Sequence, residues 1–243
     1  MSADTVTPKQ ADERWSVAKW LFGINALFAW CGVLISFTLN LIGYYPPDTG
    51  TPTLLGENPA GMAGALGRVF DWCTYFTILS NLVVAVVMTL LFLRPKRDSP
   101  IFRVLRLDSL LMIIVTGVIY NLLLGAGKGH TAWDFPSNLL QHILTPIITV
   151  LVWLIVGPRG WIKFKVIILA LILPLAWAVF ALIRGLIIGA YPYPFLDLAT
   201  EGWASVLSFL VAIVVFAIIL ALGLMAIDAL IRRLSRGSSS TSG

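Results

Sequence analysis

The chain has 243 residues, 58% of them apolar and only 12% charged, and its mean hydropathy is +0.91, values that a soluble domain of this length rarely reaches. Its 17 Lys and Arg against 12 Asp and Glu leave a net charge of +5, which in so apolar a chain reads as membrane topology and contact with anionic lipid, not as nucleic-acid binding. The fold class this implies is all-α: a polytopic bundle embedded in a bilayer.

Residues 1–16 are polar with mixed charge, and the apolar run after them is too long for a signal-peptide core, so no cleaved leader is expected. A helix needs about 20 apolar residues to cross the hydrocarbon layer. Six stretches meet that need: 20–41, 72–93, 109–126, 135–156, 166–190 and 203–227. Only the fifth contains a charged residue, Arg184, near its end. The connection between the first two spans is rich in proline and glycine (Tyr44, Tyr45, Pro46, Pro47, Thr51, Pro52) and long enough to cap the bundle. Trp133-Asp134-Phe135-Pro136 precedes the fourth span and supplies aromatic interface anchors. After the fifth span, Tyr191-Pro192-Tyr193-Pro194 fixes a stiff, extended turn suited to shaping a pocket mouth. Cys31 and Cys73 fall within apolar spans, where a small hydrophobe is the ordinary role, and no disulfide is expected. The Ser/Gly-rich stretch 235–243 reads as a disordered or appended tail, leaving 1–234 as one six-span domain.

Orientation follows from the loops that hold the positive charge. Lys9, Arg14 and Lys19 precede the first span, Arg94, Lys96, Arg97, Arg103 and Arg106 lie between the second and third, Arg159, Lys163 and Lys165 between the fourth and fifth, and Arg232, Arg233 and Arg236 after the sixth. Arg68, Lys128 and Arg184 fall on the opposite side. Both termini are therefore expected in the cytoplasm.

Polar groups in hydrocarbon are costly unless paired, so their depth along each span is informative. On the second span Thr74, Thr77 and Asn81 share a stripe with Ser80 beside it; on the fourth, Asn138, Gln141, His142, Thr145 and Thr149 form another. Counting residues from the outer ends puts Thr77 and His142 at similar depth, about 9 Å in by the helical rise. Tyr120 and Asn121, Arg184, and Ser205 and Ser208 bring the third, fifth and sixth spans to the same outer half, while the inner halves look nearly featureless. Taken singly, the hydroxyl and amide side chains are most simply interhelical glue or bonds back to their own helix. His142 differs in kind, as an ionisable group inside a span. Arg184 either reaches the headgroups or holds a substrate carboxylate.

A hydroxyl becomes a nucleophile when a base takes its proton, and Thr77 with His142 supplies that pair. Asn81, Ser80 or Asn138 are candidates to donate to a developing oxyanion or to orient the imidazole. No metal and no cofactor are expected: His130 and His142 are the only imidazoles and no Cys/His cluster occurs. A carrier of lipids or small molecules using the same outer-half cavity without chemistry is the alternative, and a bis-histidine haem site on His130 and His142 is a third reading.

Tyr75-Phe76-Thr77-Ile78, Asn138-Leu139-Leu140-Gln141-His142 followed by Pro146, and Tyr193-Pro194-Phe195-Leu196-Asp197, in this order and on these spans, resemble the androgen-induced and androgen-dependent family of six-span membrane proteins, whose animal members are threonine hydrolases acting on fatty acid esters of hydroxy fatty acids. The resemblance covers most of the bundle and is to a bacterial branch, with Asp197 where glutamate is familiar. It implies that Thr77 is the nucleophile and His142 its partner; Asn81, Ser80, Asn121, Asn138, Arg184, Tyr193 and Asp197 are the candidates for binding the lipid substrate or its oxyanion. The location it implies is the inner, cytoplasmic membrane.

Overall fold

In lipid the backbone has no water to bond, so spanning segments satisfy themselves as helices. A computed structural model describes residues 8–45, 58–125 and 132–237, and these are helical apart from short connections. Six stretches are long and apolar enough to cross a membrane: Trp15–Ile42, Phe76–Leu93, Pro100–Leu124, Asp134–Val156, Phe164–Ile188 and Leu198–Leu234. The helices are α1 (Pro8–Ile42), α2 (Ala65–Thr74), α3 (Phe76–Leu93), α4 (Pro100–Ile119), α5 (Asp134–Leu139), α6 (Thr145–Val156), α7 (Phe164–Ala170), α8 (Ile172–Ile188) and α9 (Leu198–Gly237). A wide π turn, Tyr120–Leu124, continues α4, and another, Leu140–Leu144, joins α5 to α6.

The α4 span is the hub, with 56% of its apolar window buried, whereas the last two spans are 17% buried and present most of their surface to lipid. The tightest seam is between α1 and α3, where Ala18, Phe22, Ala26 and Ala29 meet Val84, Ala85, Met88 and Leu91. Small residues there let two backbones approach closely, the source of association when lipid removes the hydrophobic drive between helices. Leu27 and Leu34 on α1, Ile147 and Leu151 on α6, and Val211 and Ile219 on α9 face outward, as a lipid-facing surface requires.

Several boundaries differ from the sequence expectation, each for a local reason. The second span does not begin at Trp72: Tyr75 is extended, with φ −70° and ψ 132°, and separates α2 from α3. Thr77 is therefore in the first turn of its spanning helix, and Thr74 leaves the stripe to bond the Asp71 carbonyl. The third span begins earlier, at Pro100, because Ser99 accepts the Phe102 N–H as an N-cap and proline suits the first turn. That start draws Arg103, Arg106 and Asp108 from the loop into the helix, and Arg106 and Asp108 are buried. With Asp228 also buried, and Asn25 bonded to Thr149 at 3.2 Å, the basic half of the bundle is not featureless. The fifth span breaks at Leu171, three residues before Pro174, which has no N–H to give the Ala170 carbonyl. The sixth starts at Leu198, bends at Gly202 and runs to Gly237, so the helix continues through 235–237. Cys73 belongs to α2, outside the spans, and both cysteines are free. Pro46, Pro47, Thr51, Pro52, Lys128, His130 and residues 238–243 lie outside the described residues.

Because Ala85 is fully buried against α1, Ala85→Leu overpacks the seam; thermal unfolding in detergent should show a loss of about 1–3 kcal/mol.

Candidate active site

Two interruptions of helical hydrogen bonding build the site. At the first, extended Tyr75 denies the Thr74 carbonyl its helical partner, and the Trp177 indole on α8 donates to it at 2.8 Å. The break also leaves N–H groups at the start of α3 without carbonyls. The Thr77 N–H donates to the Tyr193 hydroxyl at 3.2 Å, so a side chain from a distant turn caps this helix.

At the second interruption, Pro146 has no N–H for the His142 carbonyl, and the π turn loosens the preceding residues. Asn121 Nδ2 donates to the His142 carbonyl at 3.0 Å, and Asn81 Nδ2 to the Gln141 carbonyl at 3.3 Å. Gly117 lets α4 approach here, since a Cβ would lie 3.1 Å from Pro146 Cγ. The opposing π turn brings the Tyr120 ring flat against the imidazole, centroids 3.6 Å apart at 13°.

The result is a direct contact: Thr77 Oγ1 lies 3.2 Å from His142 Nε2. Tyr193 Oη is 3.3 Å from the same Thr77 oxygen. Thr77 is half-buried and His142 is 8% exposed. Burial pushes the Tyr193 phenol above its ordinary pKa, against the opposing pull of its hydrogen bonds to Thr77 and to the Phe76 and Thr77 backbone. It therefore stays protonated at neutral pH and able to donate. The turn bearing it folds inward, with Tyr191, Tyr193, Leu196 and Asp197 all buried. Tyr191 lies on Gly185, where a Cβ would fall 2.0 Å from its ring.

Thr77, Thr116, Tyr120 and Tyr193 border a cavity of about 270 Å³ between α3, α4, α8 and α9, whose remaining wall is apolar, including Leu111, Val115, Leu171, Leu182 and Ala217.

The other residues singled out in the sequence have different surroundings. Ser80 donates to the Thr77 carbonyl at 3.0 Å and lies 2.8 Å from the Thr116 hydroxyl. Asn81 also bonds the Thr77 carbonyl, and Asn138 bonds the Asp134 carbonyl. These amides and the Ser80 hydroxyl are directed at carbonyls, so they position backbone and do not aim at the Thr77 hydroxyl. Gln141 bonds Ser137 at 2.9 Å, and Thr149 turns to α1. Asp197 caps its own turn through the Ala199 N–H at 2.9 Å. Arg184 neither snorkels nor enters the cavity wall: its guanidinium pairs with Asp71 and lies 5.1 Å from the Phe70 ring. Ser205 and Ser208 are exposed, so the sixth span brings apolar side chains and no hydroxyl to the cluster.

Asp71 and Trp177 are the participants that sequence reading missed. Arg184 demanded an acidic partner near that end of the bundle, and Asp71, one turn before Tyr75, was available to supply it. Nothing in the sequence marks Trp177, because an indole in a span is an ordinary lipid-facing residue until a carbonyl is found opposite it.

Set against models of known protein families, curated proteins and solved structures, the chain matches none.

Two stability outcomes follow. Arg184→Met should lower stability by about 1–3 kcal/mol by removing the cation from the part-buried Asp71 carboxylate, and adding Asp71→Leu should restore much of it, read from thermal midpoints in detergent. Asn121→Leu, which strips the donor from the His142 carbonyl, should cost about 1–3 kcal/mol and alter the His142 ring environment in NMR spectra.

Proposed function

We propose that the protein is a membrane-embedded lipid ester hydrolase with Thr77 as nucleophile and His142 as general base. The observation that carries this reading is the Thr77 Oγ1 to His142 Nε2 contact of 3.2 Å at the border of an apolar cavity. The resemblance to the threonine hydrolases of fatty acid ester chemistry agrees with it; within this reading the loop charges favour cytoplasmic termini, and the resemblance to a bacterial branch favours an inner-membrane location.

In this mechanism the imidazole carries its proton on Nδ1 and accepts the Thr77 hydroxyl proton at Nε2. Oγ1 attacks the ester carbonyl carbon, and the carbonyl electron pair moves onto oxygen. The Tyr193 hydroxyl, 3.3 Å from Oγ1, is available to donate to that oxyanion. The positive end of α3 adds its dipole, because Thr77 lies in the first turn. Collapse of the tetrahedral species breaks the bond to the alcohol, which leaves with the proton from Nε2. Water, deprotonated by His142, then attacks the acyl-threonine, and the acid departs as Thr77 regains its proton. The scheme calls for no metal or cofactor. The substrate is a lipid drawn from the surrounding bilayer.

Carriage without chemistry is supported by the same apolar cavity. Purified wild type, Thr77→Ala, His142→Ala and Tyr193→Phe should be compared on a panel of lipid esters, including branched esters with a free carboxylate, with thermal midpoints as the folding control. Thr77→Ala should abolish turnover, His142→Ala should reduce it by about 10²–10⁴-fold, and Tyr193→Phe by roughly 10²-fold. Activity in folded Thr77→Ala equal to wild type removes the nucleophile assignment. Absence of turnover in wild type, with lipid binding retained in Thr77→Ala, establishes the carrier instead.

A further inference from the structure

The cavity beside Thr77 has a chemical polarity that says which part of an ester it takes. Among the described residues its wall contains no Asp, Glu, Lys, Arg or His, and its hydroxyl groups belong to Thr77, Thr116, Tyr120 and Tyr193. Those groups gather toward one end, since Tyr193 and Thr116 are tied to Thr77 and to Ser80 one turn further along α3. Away from them the wall is aliphatic down to Leu111 on α4, Leu171 before α8 and Ala217 on α9. Arg184, the cation best placed to greet a carboxylate, is committed to Asp71 and is not part of this wall.

The depth can be read from three helices. From Tyr120 to Leu111, from Leu182 to Leu171 and from Leu207 to Ala217, the helical rise gives about 14, 16 and 15 Å. An extended chain advances about 1.2 Å per bond, as a polypeptide does at three bonds per roughly 3.5 Å residue. About 15 Å therefore accommodates roughly ten to twelve carbons.

We infer that the substrate is an ester of an uncharged medium-chain acyl group of about ten to twelve carbons, its acyl tail lying in the cavity and its carbonyl at Thr77. The alcohol portion stays at the hydroxyl-lined end and leaves from there. An acyl chain ending in a carboxylate is disfavoured, because the aliphatic far end at Leu111, Leu171 and Ala217 offers that charge no counterion or donor. The inference rests on the hydrolase reading above and adds to it the class and orientation of the substrate.

The test uses the purified full chain in detergent and p-nitrophenyl esters from four to eighteen carbons, with an ω-carboxy ester of the preferred length. Turnover should peak near ten to twelve carbons, and the ω-carboxy ester should react at least about tenfold more slowly. Ala217→Phe raises the floor and should move the peak to shorter chains by about two to four carbons, whereas Met112→Ala enlarges the wall and should move it to longer ones. Either shift in a folded variant supports the placement. Hydrolysis with no chain-length preference, an ω-carboxy ester as good as its parent, or a peak that stays fixed in both folded variants overturns it. Failure of wild type to hydrolyse any ester sinks the hydrolase reading itself, a result distinct from turnover without selectivity.

Discussion

Every backbone carbonyl or N–H released from a helix inside a bilayer has to find another partner, and the candidate site is assembled from the places where that demand is met by side chains. Extended Tyr75 frees the Thr74 carbonyl for the Trp177 indole and leaves the Thr77 N–H to the Tyr193 hydroxyl. Pro146 and its π turn free the carbonyls of Gln141 and His142 for Asn81 and Asn121. These bonds join α2 to α8, α3 to the turn after α8 and to the π turn between α5 and α6, and that π turn to the one that continues α4. A polar partner missing in this setting leaves a desolvated group, so the network holds its members in place more firmly than its individual bond strengths suggest.

That economy explains why so many amides stand near a Thr–His pair while none is directed at the hydroxyl. Asn81 and Asn121 hold the backbone that carries His142, and Ser80 and Asn81 converge on the Thr77 carbonyl. Tyr193 alone among the residues expected around the substrate reaches the Thr77 side chain directly, apart from His142 itself. Its position depends on a turn packed inward by Tyr191 on Gly185, by the Tyr193 stack on Phe195 at 5.1 Å and by buried Asp197 capping α9. The proline-rich turn thus acts as a wall of the cavity and as a cap of α3 together.

Charge is handled in the same manner. Arg68 sits beside the C-terminal end of α1 and donates to the carbonyls of Asn40 and Leu41, where a cation is favoured by the helix dipole. Arg106 lies between the Phe102 and Trp161 rings, 5.0 and 5.4 Å from them, and donates to the Arg97 carbonyl. Arg184 and Asp71 bind α8 to α2, and Asn58 takes the second Asp71 oxygen at 2.6 Å. Arg68, Arg106 and Arg184 thus serve as joints between elements, and none of them lies in the cavity wall.

The sequence by itself determined the six spans, since runs of apolar residues long enough to cross a bilayer have a single way to satisfy their backbone. It also singled out His142 and Thr77, because an ionisable ring in a span and a hydroxyl counted to the same depth are visible as residue types at fixed intervals. Only the tertiary structure decided that Thr77 begins a helix, that Asn81 and Asn121 bond carbonyls, that Arg184 belongs to Asp71, and that Tyr193 reaches the Thr77 hydroxyl. Helical counting assumes an unbroken repeat, and it fails where Tyr75 and the π turns interrupt that repeat. Which donor meets each freed group depends on neighbours more than a hundred residues away, as with Trp177 and Thr74 or Tyr193 and Thr77, and proximity of that kind is a property of packing that residue spacing does not encode.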